Sequence, residues 1–448
     1  MTQTYKYLHF IKYLHFHRWD VKAYAFQHKA FDNAVLLRDI LTPYDIPLAK
    51  NEMLNNKWSI IAKINFSGKL FLRDANETKT FKGNVHKVDG ETLIYSKINV
   101  RHGCVYYHPK GAVPFGVSSE YPAYKIDQKR VNGDFLVLLL QSRYFKDALS
   151  AGTSGISKAR VKPNVFLDIQ IPLPSLEEQN KIVAAYNATI AQADNLSQQA
   201  GEISNHIEQY WQISLGVTKQ NVEKSNSKYR YLQFTNFSNV EEWGIDIIHK
   251  KQNKEIFKYP IYKISTLCQL GSGGTPSRSY PQYYKGIIPW VKTGEVLNGE
   301  IYDTEEHITE DAIIHSSAKL YPKGSLIIAM YGQGDTRGRT AKLAIDATTN
   351  QACAVLHNIN NQIVSTDYLW YYLQGRYNDL RSMASGNNQP NLNAGKINNY
   401  EVVVPPLAIQ NEIVNHISAL RAKQKHLQQQ ASDLRTQAAQ QFEQTIFN

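Results

Sequence analysis

A chain of 448 residues exceeds what one hydrophobic core usually organises, so two or three domains are expected. A hydrophobic fraction of 42% and an aromatic fraction of 11% exclude a mainly disordered chain, and the longest aliphatic stretch, Phe135 to Leu140, is far too short to span a bilayer. The formal charge of +11 is unevenly spread: residues 1–173 hold 25 Lys and Arg against 14 Asp and Glu, and the rest balances, which suits either a polyanion-binding segment or a solvated basic surface.

The first residues, MTQTYKYLHF, lack a basic segment followed by an apolar run, so no secretory signal is expected and a cytoplasmic location is. His15 and His17 sit among Tyr, Phe and Trp rather than beside Asp, Glu or Cys, which favours an aromatic surface over a metal site. Further on, ETLIYSKINVRHGCVYYHP (Glu91 to Pro109) has the β-branched and aromatic character of strands. DFLVLLLQSRY (Asp134 to Tyr144) should be a helix packed on that sheet. After Pro172 and Pro174, apolar residues recur in steps of three and four at Val183, Tyr186, Ile190, Ala193, Leu196, Ala200, Ile203, Ile207 and Tyr210, a helical stripe. GVTKQNVEKSNSKYR (Gly216 to Arg230) is polar, lacks a period and reads as a linker.

The second half contains a glycine-rich GSGGTPS (Gly271 to Ser277), which lacks the Lys-Ser or Lys-Thr ending of a phosphate loop. LIIAMYGQGDTRGRTAKLAI (Leu326 to Ile345) places two β-favouring runs around a tight turn, and DYLWYYLQGRY (Asp367 to Tyr377) should again be a helix. A second stripe follows at Ile413, Ile417, Leu420, Leu427, Ala431, Leu434 and Ala438, with Gln424 interrupting the seam. Cys104, Cys268 and Cys353 are too far apart in sequence for a metal knuckle or a disulfide framework and read as buried thiols.

These segments repeat. DFLVLLLQSRY returns as DYLWYYLQGRY, PLPSLEEQNKIV (Pro172 to Val183) as PPLAIQNEIV (Pro405 to Val414), SSEYPAYKI (Ser118 to Ile126) as TNQACAVL (Thr349 to Leu356), and KYLHF with Trp19 resembles RYLQF with Trp243. The offsets nearly agree, whereas Leu41 to Asp89 and Gly271 to Pro322 share almost nothing. A shared scaffold with different middles suits two domains doing one kind of job on two targets. The expected organisation is α+β: globular domains over 1–173 and 231–404, a linker over 216–230, and long helices over 174–215 and 405–448 paired as an antiparallel coiled coil with a pseudo-twofold internal repeat.

PLPSLEEQNKIV and PPLAIQNEIV ahead of long helices, with GGTPSRSYPQYYKGIIPWVKTGEV (Gly273 to Val296) and GNNQPNLN (Gly386 to Asn393), resemble the specificity subunits of Type I restriction-modification enzymes. The resemblance covers essentially the whole chain, although the first half lacks the Gly-Gly-Thr-Pro-Ser segment. It implies two target-recognition domains, each reading one half of a split double-stranded DNA site, with the helices as a ruler. It also implies two methyltransferase subunits as partners, two restriction-translocase subunits that can join, and adenine methylation with S-adenosylmethionine in the former and ATP with Mg in the latter. No cofactor, metal or catalytic residue is assigned to this chain. Neither an Asn-Pro-Pro-aromatic nor an Asp-Pro-Pro-aromatic segment is present, nor a glycine fingerprint between strand and helix.

The candidate DNA-binding residues of the first half are the cations of its divergent middle, Lys63, Lys69, Arg73, Lys82, Lys87, Lys97 and Arg101. In the nearly neutral second half they are Arg278, Tyr280, Tyr283, Lys285 and Lys292 on one side and Arg337, Arg339 and Lys342 on the other. The acidic stretch from Glu295 to Asp311 is expected to face away from phosphate. A coiled-coil adaptor without DNA reading, and an enzyme of unrecognised chemistry, are the alternatives; salt-dependent duplex binding separates the first and activity assays the second.

Overall fold

The computed structural model describes residues 31, 33–151, 160–219, 255–332, 334–383 and 392–447. Trp19 and Trp243 with their repeated segments, His15, His17, most of the 216–230 linker and most of GNNQPNLN lie outside the described residues. Two compact units emerge, one from residues 1–197 with 428–448, the other from residues 198–427.

In the first unit, β1 (Ala34–Leu36) pairs with β10 (Gln170–Pro172). A four-stranded antiparallel sheet runs β2 (Leu41–Pro43), β9 (Ala123–Ile126), β6 (Thr92–Tyr95), β7 (Val105–His108). The last two are the strands expected within Glu91 to Pro109. Against the sheet lie α3 (Gly133–Gln141), α4 (Arg143–Ala151) and α5 (Pro163–Leu167), burying Leu93, Tyr95, Phe135, Leu136 and Phe166 together. The helix expected over Asp134 to Tyr144 breaks at Ser142, which is extended and whose hydroxyl accepts from Phe145 N at 3.2 Å. A serine that caps the next helix competes with continuing the first. The divergent middle forms a second core around Met53, Ile60, Ile61, Ile64 and Phe115. It contains α1 (Lys50–Asn55), β3 (Ile61–Ile64), β4 (Leu70–Leu72), α2 (Ala75–Thr80), β5 (His86–Val88) and β8 (Phe115–Val117).

The second unit repeats that frame. After the two-residue pair β11 (Thr218–Lys219) and β12 (Glu255–Ile256), β13 (Ile261–Lys263) pairs with β22 (Glu401–Val403) as β1 does with β10. A five-stranded sheet runs β14 (Gln269–Ser272), β21 (Cys353–His357), β18 (Leu326–Ala329), β19 (Thr340–Leu343), β16 (Glu300–Ile301). Its helices α9 (Thr366–Gly375), α10 (Tyr377–Ser382) and α11 (Ala394–Asn398) follow in the order of α3 to α5. The helix expected over Asp367 to Tyr377 stops at Gly375, with Arg376 outside helical geometry as its cap. The middle is again different: β15 (Ile288–Val291), β17 (His307–Ile308) and β20 (Thr348–Thr349) form a small mixed sheet beside α8 (Glu310–Ile314), with α7 (Ile264–Leu267) preceding β14.

The two long stripes are the unbroken helices α6 (Leu176–Ser214) and α12 (Leu407–Phe447). Within the first unit Tyr186 meets Phe442, and Arg435 reaches Asp194 at 2.7 Å and the Ser197 hydroxyl at 3.0 Å. Within the second, His416 stacks on Tyr210 with ring centres 4.0 Å apart. Gln424, expected to interrupt the seam, donates to Ala200 O at 2.9 Å and Ser204 Oγ at 2.8 Å, so its amide is satisfied across the helices. In each unit residue numbers rise along one helix as they fall along the other, and Val183, Ala193, Ala200, Ile203, Ile413, Ile417, Leu427, Ala431 and Ala438 are buried.

All three cysteines are buried and unpaired. Burial pushes the thiol of Cys104 up to about 11 and that of Cys268 up to about 12. Among the described residues no helix is long and apolar enough to cross a membrane, and no group of His, Cys, Asp and Glu has the arrangement of a metal site.

Candidate nucleic-acid interface

The nominated cations of the first unit lie on and beside the β3–β4 hairpin. Lys63 and Phe71 face each other across the hairpin, and the ammonium groups of Lys63 and Lys69 lie 5.2 and 5.7 Å from the centre of the Phe71 ring. Arg73 sits 5.3 Å over Phe81 and donates from Nε to Ile61 O at 3.3 Å, while Lys87 lies 5.0 Å over Trp58. Lys63, Lys69 and Lys82 are exposed; Arg73, Lys87, Lys97 and Arg101 are half-buried. Among the described residues none of Lys63, Lys69 and Lys82 forms an ion pair. A ring holds a cation in place, at about 0.5 to 1 kcal/mol for an exposed contact, without neutralising it. The positive field of this surface therefore remains available to phosphate.

Three acids of the same unit pair with cations outside the nominated set. Asp89 accepts from Lys125 and, at 2.6 Å, from the Tyr44 hydroxyl. Partial burial acts to raise its pKa, but the hydrogen bonds from Lys125 and Tyr44 outweigh it and hold the carboxyl below its ordinary range. Arg160 pairs with Glu120 at 3.2 Å and Arg38 with Asp168.

The second unit is arranged differently. Arg278 lies 3.8 Å over Tyr284 and 5.5 Å over Trp290, and donates to Glu306 at 2.7 Å. Lys292 contacts Glu305 at 2.8 Å and Glu306 at 3.0 Å. The stretch from Glu295 to Asp311 therefore does not face away from the nominated cations, because three of its carboxylates, Glu300, Glu305 and Glu306, pair with three of them, Lys342, Lys292 and Arg278. Sequence gives no measure of this pairing, since partners 13 to 42 residues apart meet only once the sheets form. Hydrogen bonding to Arg278 is the largest influence holding Glu306 below the ordinary carboxylate range. Lys342, with a side chain only 19% exposed, is clamped between Glu300 at 2.6 Å and Asp367 at 2.7 Å. Burial alone pushes its pKa down, but the hydrogen bonds to Asp367 and Glu300 win and raise it.

Of the remaining nominated residues, Tyr280 and Tyr283 have ring centres 5.3 Å apart, Tyr280 is half exposed, and Lys285 is exposed beside them. Arg337 and Arg339 are half-buried on the β18–β19 turn, where Gly332, Gly334 and Gly338 all take positive φ, a conformation that favours glycine. GSGGTPS is a packed loop: a Cβ on Gly273 would collide with Thr349 O, and Trp290 Nε1 donates to Gly274 O at 3.0 Å. Those glycines permit close packing rather than cradle a phosphate.

The aromatic partners Trp58, Phe71 and Phe81 were not among the nominated residues. A signal for the first two was present: from Met53 to Arg73 the sequence interleaves four cations with three aromatic residues, Trp58, Phe66 and Phe71, and holds no acid.

The family model for the Type I restriction modification DNA specificity domain matches residues 35–209 and again 258–433. The chain belongs to that family. Among curated specificity-family members, the Type I restriction enzyme EcoR124I/EcoR124II specificity subunit of Escherichia coli is 27% identical over 165 residues, covering 35% of this chain and 40% of that one. The MjaVIII specificity subunit of Methanocaldococcus jannaschii is 21% identical over 305 residues, covering 66% of this chain and 65% of that one. Each of these matches spans less than two thirds of the relative's own length. A solved chain from work on complex assembly and conformational transition of the type I R-M system shares the fold, with a TM-score of 0.56, 15% identity, and coverage of 92% of this chain and 96% of that one.

Proposed function

We propose that this chain is the sequence-specific, non-catalytic DNA-recognition subunit of a Type I restriction-modification assembly. The observation that carries the reading is the double family match, 35–209 and 258–433, laid on two units with one frame and different middles. The target-recognition domains are residues 1–173 and 231–404, and each reads one half of a bipartite, asymmetric duplex target. Between them the helices of 174–215 and 405–448 act as an antiparallel coiled coil relating the halves by a pseudo-twofold axis, which suits half-sites on antiparallel strands. The 216–230 segment is the linker.

Two methyltransferase subunits dock on the chain and supply adenine methylation with S-adenosylmethionine; two restriction-translocase subunits, using ATP and Mg, can join them. The assembly is cytoplasmic. Phosphate contacts fall first on Lys63, Lys69 and Lys82, assisted by Arg73, Lys87, Lys97 and Arg101. In the second domain Lys285, Tyr280, Tyr283, Arg337 and Arg339 are the candidates, and Arg278, Lys292 and Lys342 must share or break an ion pair to join them. The test is duplex binding by the chain with its modification partners across a salt series. Steep salt dependence together with a preference for one split sequence supports the reading, and salt-insensitive or absent binding refutes it.

A further inference from the structure

The β3–β4 hairpin is a two-stranded ribbon outside the main sheet of its unit. It is anchored along its length: Ile61 at the base and Ile64 beside the tip are buried in the second core with Leu70 packed against it, and Arg73 N donates to Ile60 O at 2.8 Å. Between these anchors, Ala62 and Lys63 on one strand, and Phe71 and Leu72 on the other, are exposed. The register shifts between Ile61 and Lys63, so strand alternation is interrupted there, and the ribbon has one side on the core and an open outer side. The tip is held in one shape. Asn65 Oδ1 accepts from Ser67 N at 3.1 Å and Lys69 N at 2.8 Å, and Gly68, at φ +78°, packs over Gln141, itself tied to Gly103 O and Val105 O at 3.3 Å each.

On that tip stands Phe66, 65% exposed, its ring centre 5.1 Å from that of His102. A single exposed apolar residue needs no explanation, but this one stands at the tip of a ribbon whose open outer side carries Lys63 and Lys69, with no acid between Glu52 and Asp74. The major groove admits a two-stranded ribbon, its walls are phosphate, and its floor offers the thymine methyl group to apolar side chains. We propose that the β3–β4 ribbon presents its open side and tip to the major groove and that Phe66 is a specificity-determining residue, set against base edges while Lys63 and Lys69 meet the flanking phosphates. This rests on the proposed bipartite DNA recognition and assigns the reading element of one half.

The test uses the full chain with its modification subunits and three duplexes: the mapped target and two versions with either half scrambled. Phe66→Ala should weaken the preference for one intact half by about fivefold or more, leave the other half's preference and the salt slope unchanged, and leave the melting temperature unchanged. Val113→Ala, at another apolar position of the same unit (72% exposed), should change none of these. If Phe66→Ala retains both preferences, or weakens every duplex alike with a shallower salt slope, the ribbon proposal is overturned while the proposed function stands. A wild-type complex with no preference among the three duplexes overturns the proposed function itself.

Discussion

Gln179 and Gln410 make the same three hydrogen bonds at the starts of the two long helices. Gln179 Nε2 donates to Pro174 O at 2.8 Å and Arg130 O at 2.9 Å, and its Oε1 accepts from Asn132 N at 2.9 Å. Gln410 Nε2 donates to Pro405 O at 2.7 Å and Ile363 O at 2.9 Å, and its Oε1 accepts from Ser365 N at 2.8 Å. Both residues are wholly buried. Each amide thus ties a long helix to the loop just before α3 or α9, which explains why a glutamine recurs in both EEQN and AIQN.

Removing either amide strands buried backbone groups rather than merely losing contacts. Gln179→Ala and Gln410→Ala should each destabilise their own unit by about 2 to 4 kcal/mol. Hydrogen exchange should locate the loss at the amide of Asn132 in one variant and Ser365 in the other. Unchanged protection at both amides would show that the glutamines do not fix the junctions.

Lys63, Lys69 and Lys82, which form no ion pair among the described residues, should behave as phosphate contacts. Neutralising Lys63, Lys69 or Lys82 should weaken all duplexes alike and reduce the salt slope by about one per contact. Charge reversal at all three with undiminished duplex affinity would remove this surface from the interface.

Arg278 and Glu306 are coupled, and the coupling should depend on pH with a definite sign. The folded-state pKa of Glu306 is depressed, so the pair's contribution is complete well above the ordinary glutamate value of about 4.3 and is lost as pH falls through the lower, folded value. Arg278 is largely exposed, so a double-mutant cycle with Arg278→Ala and Glu306→Ala should give only about 0.5 to 1 kcal/mol at pH 7. The coupling should vanish in acid; a cycle independent of pH would contradict the pairing.

Lys342 illustrates a cation better suited to holding its unit together. Lys342→Met keeps the alkyl stem but leaves Glu300 and Asp367 without their shared partner, and should cost about 2 kcal/mol of stability once their partial exposure is allowed for. Thermal melting reads the loss, and duplex binding should keep its salt slope. A shallower slope with unaltered stability would return Lys342 to the phosphate contacts.

Periodicity made the long helices legible, because a stripe sustained over some forty residues has few other solutions, and the repeat made the shared frame legible. The strands on either side of the β18–β19 turn were also plain, since β-branched runs flank glycines that must take positive φ. Lost to sequence were pairings made by tertiary structure: Lys292 with Glu305 and Glu306, Lys342 with Asp367, and the breaks at Ser142 and Gly375. Charge counting treats every lysine as equal, whereas Lys63 rests on a ring and Lys342 is neutralised. The exposure of Phe66 was hidden for a related reason: hydrophobicity alone assigns a phenylalanine to the core, and only the tertiary fold shows it standing exposed at the tip of the β3–β4 ribbon.

The most direct measurement is a map of methylated adenines in cells making this chain with its modification partners, compared with a variant carrying four extra residues in α6 near Ala193. Two different half-sites around an unread spacer are expected for the wild type. Four residues lengthen the helix by about 6 Å, approaching two base pairs, so the variant should methylate the same half-sites at an altered spacing. A continuous or self-complementary motif would contradict two different reading domains, and a folded variant with an unchanged spacer would contradict the helical ruler.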